Sequence, residues 1–175
     1  MKAIILAAGK STRTYPLTIT QPKPLLKIAN KALLEHTLER LAGIVDEIVI
    51  IVGYKKEMIK EYFGDKYLGI KIRYVEQKEQ LGTGHALMKA KSFAKGKFFV
   101  FMGDDIYPER AIKDCLKYEY AAVCQKVDEP GNFGVFVVEK NFVADLVEKP
   151  KVFAGNLANT GMYFLDEKIF DILQG

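Results

Sequence analysis

Arg13 and Lys23 have the charge to meet a polyphosphate, Asp104 and Asp105 the carboxylates to hold its counter-cation, and each stands in a loop of unusual make-up. The stretch from Leu6 to Leu26, LAAGKSTRTYPLTITQPKPLL, follows a short apolar run and gathers a glycine, several hydroxyls and three cations. Glycine lets backbone N–H groups approach an anion closely, and cations neutralise its charge. Lys23 lies between Pro22 and Pro24. Proline restricts its own φ and the residue before it, so this lysine is expected in a stiff extended turn, where an ammonium meets a phosphate at a set distance. The plainer reading of Lys23 is a solvated lysine in a turn. Asp104 and Asp105 end the apolar run KFFVFM. Carboxylates there suit Mg²⁺, a hard cation that takes oxygen ligands alongside substrate phosphates, with Asp104 as ligand and Asp105 as support. Helix capping ahead of Pro108 is the plainer alternative. Gln77 to Gly84, QKEQLGTG, offers an amide with both donor and acceptor, suited to a nucleobase edge, and two glycines that let backbone close on a flat ring. It also reads as a turn that starts a helix, with Thr83 as cap, and His85 reads as structural. Glu148-Lys149-Pro150 and Asn159-Thr160-Gly161 are weak singly; near a phosphate site their carboxylate and amide could bond sugar hydroxyls.

Two familiar phosphate loops are excluded. Gly9-Lys10-Ser11-Thr12 mimics the end of a Walker A loop, but Ile4 stands where that motif needs its first glycine. The dinucleotide pattern G-x-G-x-x-G fails because Ser11 takes the place of its second glycine.

These loops need a frame, and the hydropathy pattern supplies one. Apolar runs alternate with amphipathic segments, the mark of a mostly parallel sheet. Strands are expected over 2–8, 47–52, 70–76, 97–102, 121–127 and 162–165. Helices are expected over 32–41, 56–63, 85–93 and 108–118, with a short one capped by Asp166. Residues 134–139 and 142–147 read as a hairpin around Lys140-Asn141. The 9–23, 77–84 and 103–105 loops each follow a strand, so an open parallel sheet would bring all three to its carboxyl edge, where ligands bind.

Composition bounds the rest. A chain of 175 residues is expected to form one α/β domain over 1–175. No apolar run approaches the roughly 20 residues of a membrane span. The opening MKAIILAA is too short, and too promptly followed by the polar loop, for a signal peptide. Two cysteines in patterned segments suggest no disulfide framework and fit a reducing cytoplasm. Net charge is +4, but the basic residues are dispersed, which argues against nucleic-acid binding.

Taken together, LAAGKSTRTYPLTITQPKPLL, EQLGTGHAL, FMGDD, FGVF, VEKP and NTGMYF resemble, in order, the motifs of the sugar-1-phosphate nucleotidyltransferases, or NDP-sugar pyrophosphorylases. EQLGTGHAL most resembles the N-acetylglucosamine-1-phosphate uridylyltransferases; the opening and VEKP fit glucose-1-phosphate uridylyl- and thymidylyltransferases equally. The resemblance implies a Rossmann-like open, mostly parallel twisted sheet with helices on both faces. It implies a nucleoside triphosphate and a sugar 1-phosphate as substrates, Mg²⁺ as cofactor, and pyrophosphate as leaving group. It assigns Leu6, Ala7, Ala8, Gly9, Gln77, Gly82 and Thr83 to the nucleotide, and Arg13 to its departing phosphates. Lys23 is assigned to the reacting phosphates and Asp104 to the metal, while Gly134, Glu148, Asn159 and Lys149 hold the sugar and its phosphate. A homo-oligomer is compatible with it. Two departures stand out. Ser11 replaces a glycine of the opening motif, a mild change if its φ is negative. The family's catalytic domain is longer than this chain, so a second metal ligand is expected to be missing. Mannose-1-phosphate with GTP, phosphocholine with CTP, and a non-catalytic nucleotide- or sugar-sensing module are the competing functions.

Overall fold

The strands are Lys2–Ala7 (β1), Lys27–Ile28 (β2), Lys31–Ala32 (β3), Glu47–Val52 (β4), Lys66–Tyr67 (β5), Ile70–Glu76 (β6), Lys97–Met102 (β7), Ala121–Lys126 (β8), Gly134–Glu139 (β9), Phe142–Glu148 (β10) and Leu157–Asp166 (β11). The helices are Leu33–Leu41 (α1), Lys56–Phe63 (α2), Thr83–Met88 (α3), Glu109–Cys115 (α4) and Ile169–Ile172 (α5). This computed structural model describes residues 1–173. No helix among them is long and apolar enough to cross a membrane.

One sheet runs β10-β9-β11-β7-β1-β4-β6-β5, with β8 also on β11, and β2 and β3 form a separate ribbon. Its centre, β7-β1-β4-β6, is parallel. In chain order these four strands lie fourth, first, second, third, so the crossovers reverse direction between β1 and β7. A reversal of that kind opens a crevice outside the carboxyl ends of the two strands.

The apolar runs bury both faces. Ala3, Ile5 and Ala7 of β1, with Ile48 and Ile50 of β4 and Phe99 and Phe101 of β7, pack with Leu34, Leu38 and Leu41 of α1 and with Ile59, Phe63 and Ile112. On the other face, Ile4, Val49, Ile51, Phe98 and Val100 pack with Ala86, Leu87 and Phe170. Side chains alternate across a strand, so each central strand feeds both cores.

The predicted hairpin forms as read, with Lys140 and Asn141 both at positive φ, the geometry that suits a two-residue turn between twisted strands. Ala29-Asn30 makes the same turn between β2 and β3, which the sequence pattern does not announce because alanine rarely takes that conformation. β11 is ten residues long rather than four. Its polar stretch Asn159-Thr160-Gly161 does not end the strand but sits in a shift of register against β8. Helix α3 starts at Thr83, with Gly82 rather than Thr83 as the cap. Beyond Met88 it tightens into turns that keep Ala90 and Ala94 buried.

Glu35 ties the α1 end together. Its carboxylate accepts hydrogen bonds from the Ala32 N–H at 3.1 Å and from the Tyr62 and Tyr67 hydroxyls at 2.8 Å each. Burial raises this carboxyl, but the bonds from Tyr67, Tyr62 and Ala32 together outweigh it and hold its pKa below the usual value. A depressed carboxyl contributes stability above its ordinary pKa and loses it as pH falls through the lowered value. Glu35→Ala is therefore expected to cost about 2 kcal/mol at neutral pH, shrinking in acid, as read by urea unfolding.

Candidate active site

The crevice between β1 and β7 begins where their apolar runs stop. The Gly103 N–H donates to the Leu6 carbonyl at 2.9 Å, and a Cβ there would stand 2.8 Å from the Ala7 Cβ. Glycine is what lets the acidic turn lie this close to β1. After Gly9, the loop turns at Ser11, whose φ of 53° is left-handed. The condition under which the change from glycine would be mild, a negative φ, is not met: this is a conformation that glycine takes freely and serine holds under strain. The strain is braced locally. The Ser11 carbonyl accepts from the Thr14 hydroxyl at 2.7 Å and from the fully buried Thr18 hydroxyl at 2.9 Å. Tyr54 donates to the Thr18 and Ile19 carbonyls. Thr18→Val keeps the shape but removes one brace, and urea unfolding should show a loss of about 1 kcal/mol.

Lys23 is the second correction. It opens a tight turn over Lys23–Leu25 in place of the extended segment expected, because the Leu25 and Leu26 N–H groups reach back to the Pro22 and Lys23 carbonyls. Pro24 and Leu25 are buried and anchor the turn. The result is still a fixed ammonium: Lys23 Nζ lies 2.7 Å from Asp104 Oδ2.

The third wall is the 77–84 loop. Gln77 is buried, and its amide N–H₂ donates to the Gly82 carbonyl at 3.2 Å and faces His85 Nδ1 at 2.9 Å. Gln80 reaches across to the Ala8 carbonyl at 3.0 Å, joining this loop to β1.

The cleft so formed holds about 420 Å³ and is lined by Leu6, Ala7, Ala8, Gly9, Arg13, Gln77, Gly82, Thr83 and Asp104, with Ser11, Pro24, Gln80, Ala86 and Met102. A second cleft of about 580 Å³ adjoins it and shares Leu6, Arg13, Thr83 and Met102. Gly134, Glu148 and Asn159 line it, together with Asp105, Thr160, Gly161 and Tyr163 over an apolar floor. Gly134 faces Glu148 across the β9–β10 ladder, and a Cβ there would lie 2.8 Å from Glu148 Oε2, so glycine makes room for that carboxylate. Asp105 is exposed on one side; desolvation on the other, then the Asp104 charge, push its carboxyl above the usual range, and Lys23 pulls it back.

A nucleotidyl transferase family model matches residues 2–175. The chain belongs to the nucleotidyl transferase family. Among curated relatives it is 46% identical over 177 residues to the bifunctional protein GlmU of Methanococcus maripaludis, covering 99% of this chain and 42% of that protein. It is 37% identical over 186 residues to the mannose-1-phosphate guanylyltransferase catalytic subunit beta of Dictyostelium discoideum, covering 99% and 52%. The chain thus spans about half the length, or less, of these relatives. Among solved structures it superposes with TM-score 0.89 and 28% identity on a chain described as a glucose-1-phosphate thymidylyltransferase from Bacillus anthracis, covering 99% of this chain and 74% of that one. A UDP-glucose pyrophosphorylase complexed with UDP-glucose gives 0.87 and 28%, covering 99% and 78%.

For this nucleotidyl transferase family member, the residues proposed from sequence fall into two groups. Arg13, Asp104, Leu6 to Gly9, Gln77, Gly82 and Thr83 line the first cleft, and Lys23, outside its lining, reaches it through its contact with Asp104; Gly134, Glu148 and Asn159 line the second. Lys149 lines neither, and its N–H donates to the Phe133 carbonyl. Gln80, Met102 and Tyr163 were missed. Gln80 carried a faint signal, a second amide in a glycine-rich loop; Met102 and Tyr163 read as ordinary strand residues.

Proposed function

We propose that the chain transfers a nucleotidyl group from a nucleoside triphosphate, UTP or dTTP by preference, to a sugar 1-phosphate such as glucose-1-phosphate or N-acetylglucosamine-1-phosphate, releasing pyrophosphate. The observation that carries this reading is the pair of adjoining clefts sharing Arg13, one lined by Asp104 with Lys23 bonded to it from behind the wall and the other lined by Glu148 and Asn159. That is room for two phosphorylated molecules meeting at a basic junction.

In this reading Gln77, Gly82 and Thr83 hold the base, with the backbone of Leu6 to Gly9 against the nucleotide. Arg13 takes the charge that develops on the departing β- and γ-phosphates. Lys23 steadies the α-phosphate while an oxygen of the sugar phosphate attacks its phosphorus in line and the bond to pyrophosphate breaks. Gly134, Glu148 and Asn159 orient the sugar; Lys149, which lines neither cleft, is not assigned to its phosphate. Such catalysis is mainly positioning and charge stabilisation. Asp104, with Asp105 beside it, offers the one or two carboxylates that Mg²⁺ uses when phosphates and water complete its shell. When bound, Mg²⁺ would neutralise phosphate charge.

Similarity to a thymidylyltransferase and a UDP-glucose pyrophosphorylase supports UTP or dTTP with glucose-1-phosphate. Similarity to mannose-1-phosphate guanylyltransferase favours GTP with mannose-1-phosphate as the second reading. A panel of four triphosphates against several sugar 1-phosphates, read by pyrophosphate release, separates them. Tight UTP binding with no release in Mg²⁺ would instead favour a sensing module.

A further inference from the structure

β7 carries the Lys23-paired Asp104 just beyond its end, and β11 carries Asn159 and Gly161 at the second cleft. The backbone ladder between these strands runs only from Tyr163↔Val100 to Asp166↔Lys97. It stops short of both functional ends. β11 meanwhile shifts register against β8 between Asn159 and Tyr163. The Tyr107 hydroxyl bridges the gap. Tyr107 is 3% exposed, and its hydroxyl accepts from the Met102 N–H at 3.2 Å while donating to the Thr160 carbonyl at 3.0 Å. One oxygen thus stands in for the missing rung. Its ring lies 5.3 Å from that of Phe101, which fixes its approach from below.

The bulge it holds is tightly built. The Gly161 N–H donates to Asn159 Oδ1 at 2.9 Å, and Asn159 Nδ2 donates to the Tyr163 hydroxyl at 2.6 Å. Gly161 has φ of 74°, and a Cβ there would meet Met102 Cγ at 2.5 Å. Met102 therefore touches the bulge directly, and its backbone is what Tyr107 grips.

We infer that Tyr107 is a positioning residue that sets the separation between the acidic turn after β7 and the Asn159 bulge of β11, and so between the two substrates. This rests on the proposed transfer reaction. Two substrates held in separate clefts react only if the attacking oxygen lies in line with phosphorus, and a displacement near 1 Å costs on the order of 10²-fold in rate. Loss of the hydroxyl leaves each cleft able to bind its own ligand but relaxes the spacing between them.

The test is Tyr107→Phe, which keeps the ring and removes the oxygen. The expected result is a kcat lowered about 10–100-fold, with the Kd of the triphosphate alone within about twofold of wild type. Gly161 amide exchange should be at least about tenfold faster. Glu35→Ala, remote from both clefts, serves as the stability control, with kcat within about twofold of wild type at a temperature where both variants are folded. A Tyr107→Phe protein whose kcat stays with that control, or whose Gly161 exchange is unchanged, overturns the inference. A wild-type chain with no transfer activity sinks the proposed function instead, and the exchange measurement still decides the tether.

Discussion

Lys23→Ala is expected to lower turnover by about 10²–10³-fold, the effect of removing one preorganised charge from a site where charge develops. The lysine is not a mobile surface cation. Pro24 and Leu25 are buried beneath it, the turn is closed by backbone bonds to Pro22 and Lys23, and its ammonium is already fixed against Asp104. Its side chain and that of Asp104 are about a quarter and a third exposed, so the ion pair itself contributes on the order of 1 kcal/mol or less to stability. A loss of rate in the variant therefore reports on chemistry and not on unfolding, which a matched thermal midpoint checks. Lys23→Arg should not restore the rate, because a planar fork on a different stem cannot take the place of a compact ammonium at the same spot. Pyrophosphate release near the wild-type rate from Lys23→Ala would remove the lysine from the mechanism.

Asp104→Asn carries the second large effect, again about 10²–10³-fold in turnover. Asparagine keeps the shape and loses the charge that a hard cation requires. Two further results follow from the same placement. A chelator should depress the wild-type rate sharply yet leave the residual rate of Asp104→Asn nearly unchanged. The double variant with Lys23→Ala should lose little more than the worse single one, since groups that act as a unit are strongly non-additive. Multiplicative losses would mean that the two residues serve separate steps.

Much of this site is legible in the chain itself because of where its loops fall. Glu47–Val52, Ile70–Glu76 and Lys97–Met102 are continuous or alternating apolar runs bounded by polar turns, and each forms over those residues. Once they are strands of one parallel sheet, the loops after them must share an edge, and the Lys23–Asp104 contact follows from that topology. What local pattern hides is backbone conformation fixed by distant partners. The left-handed Ser11 is held by Thr18, seven residues on. The Asn159–Gly161 stretch looks like a loop but is kept in a strand by β8 and Tyr107. Gln80 and Tyr107 act through bonds to Ala8, Met102 and Thr160, contacts that no periodicity announces.

The most direct test follows the phosphorus. The triphosphate preferred in the panel is labelled separately at its α- and γ-phosphates and incubated with the protein, Mg²⁺ and the preferred sugar 1-phosphate. The account predicts α-label in a sugar nucleotide and γ-label in an equal amount of pyrophosphate. Label from the γ-phosphate on the sugar, or released as orthophosphate, would contradict it.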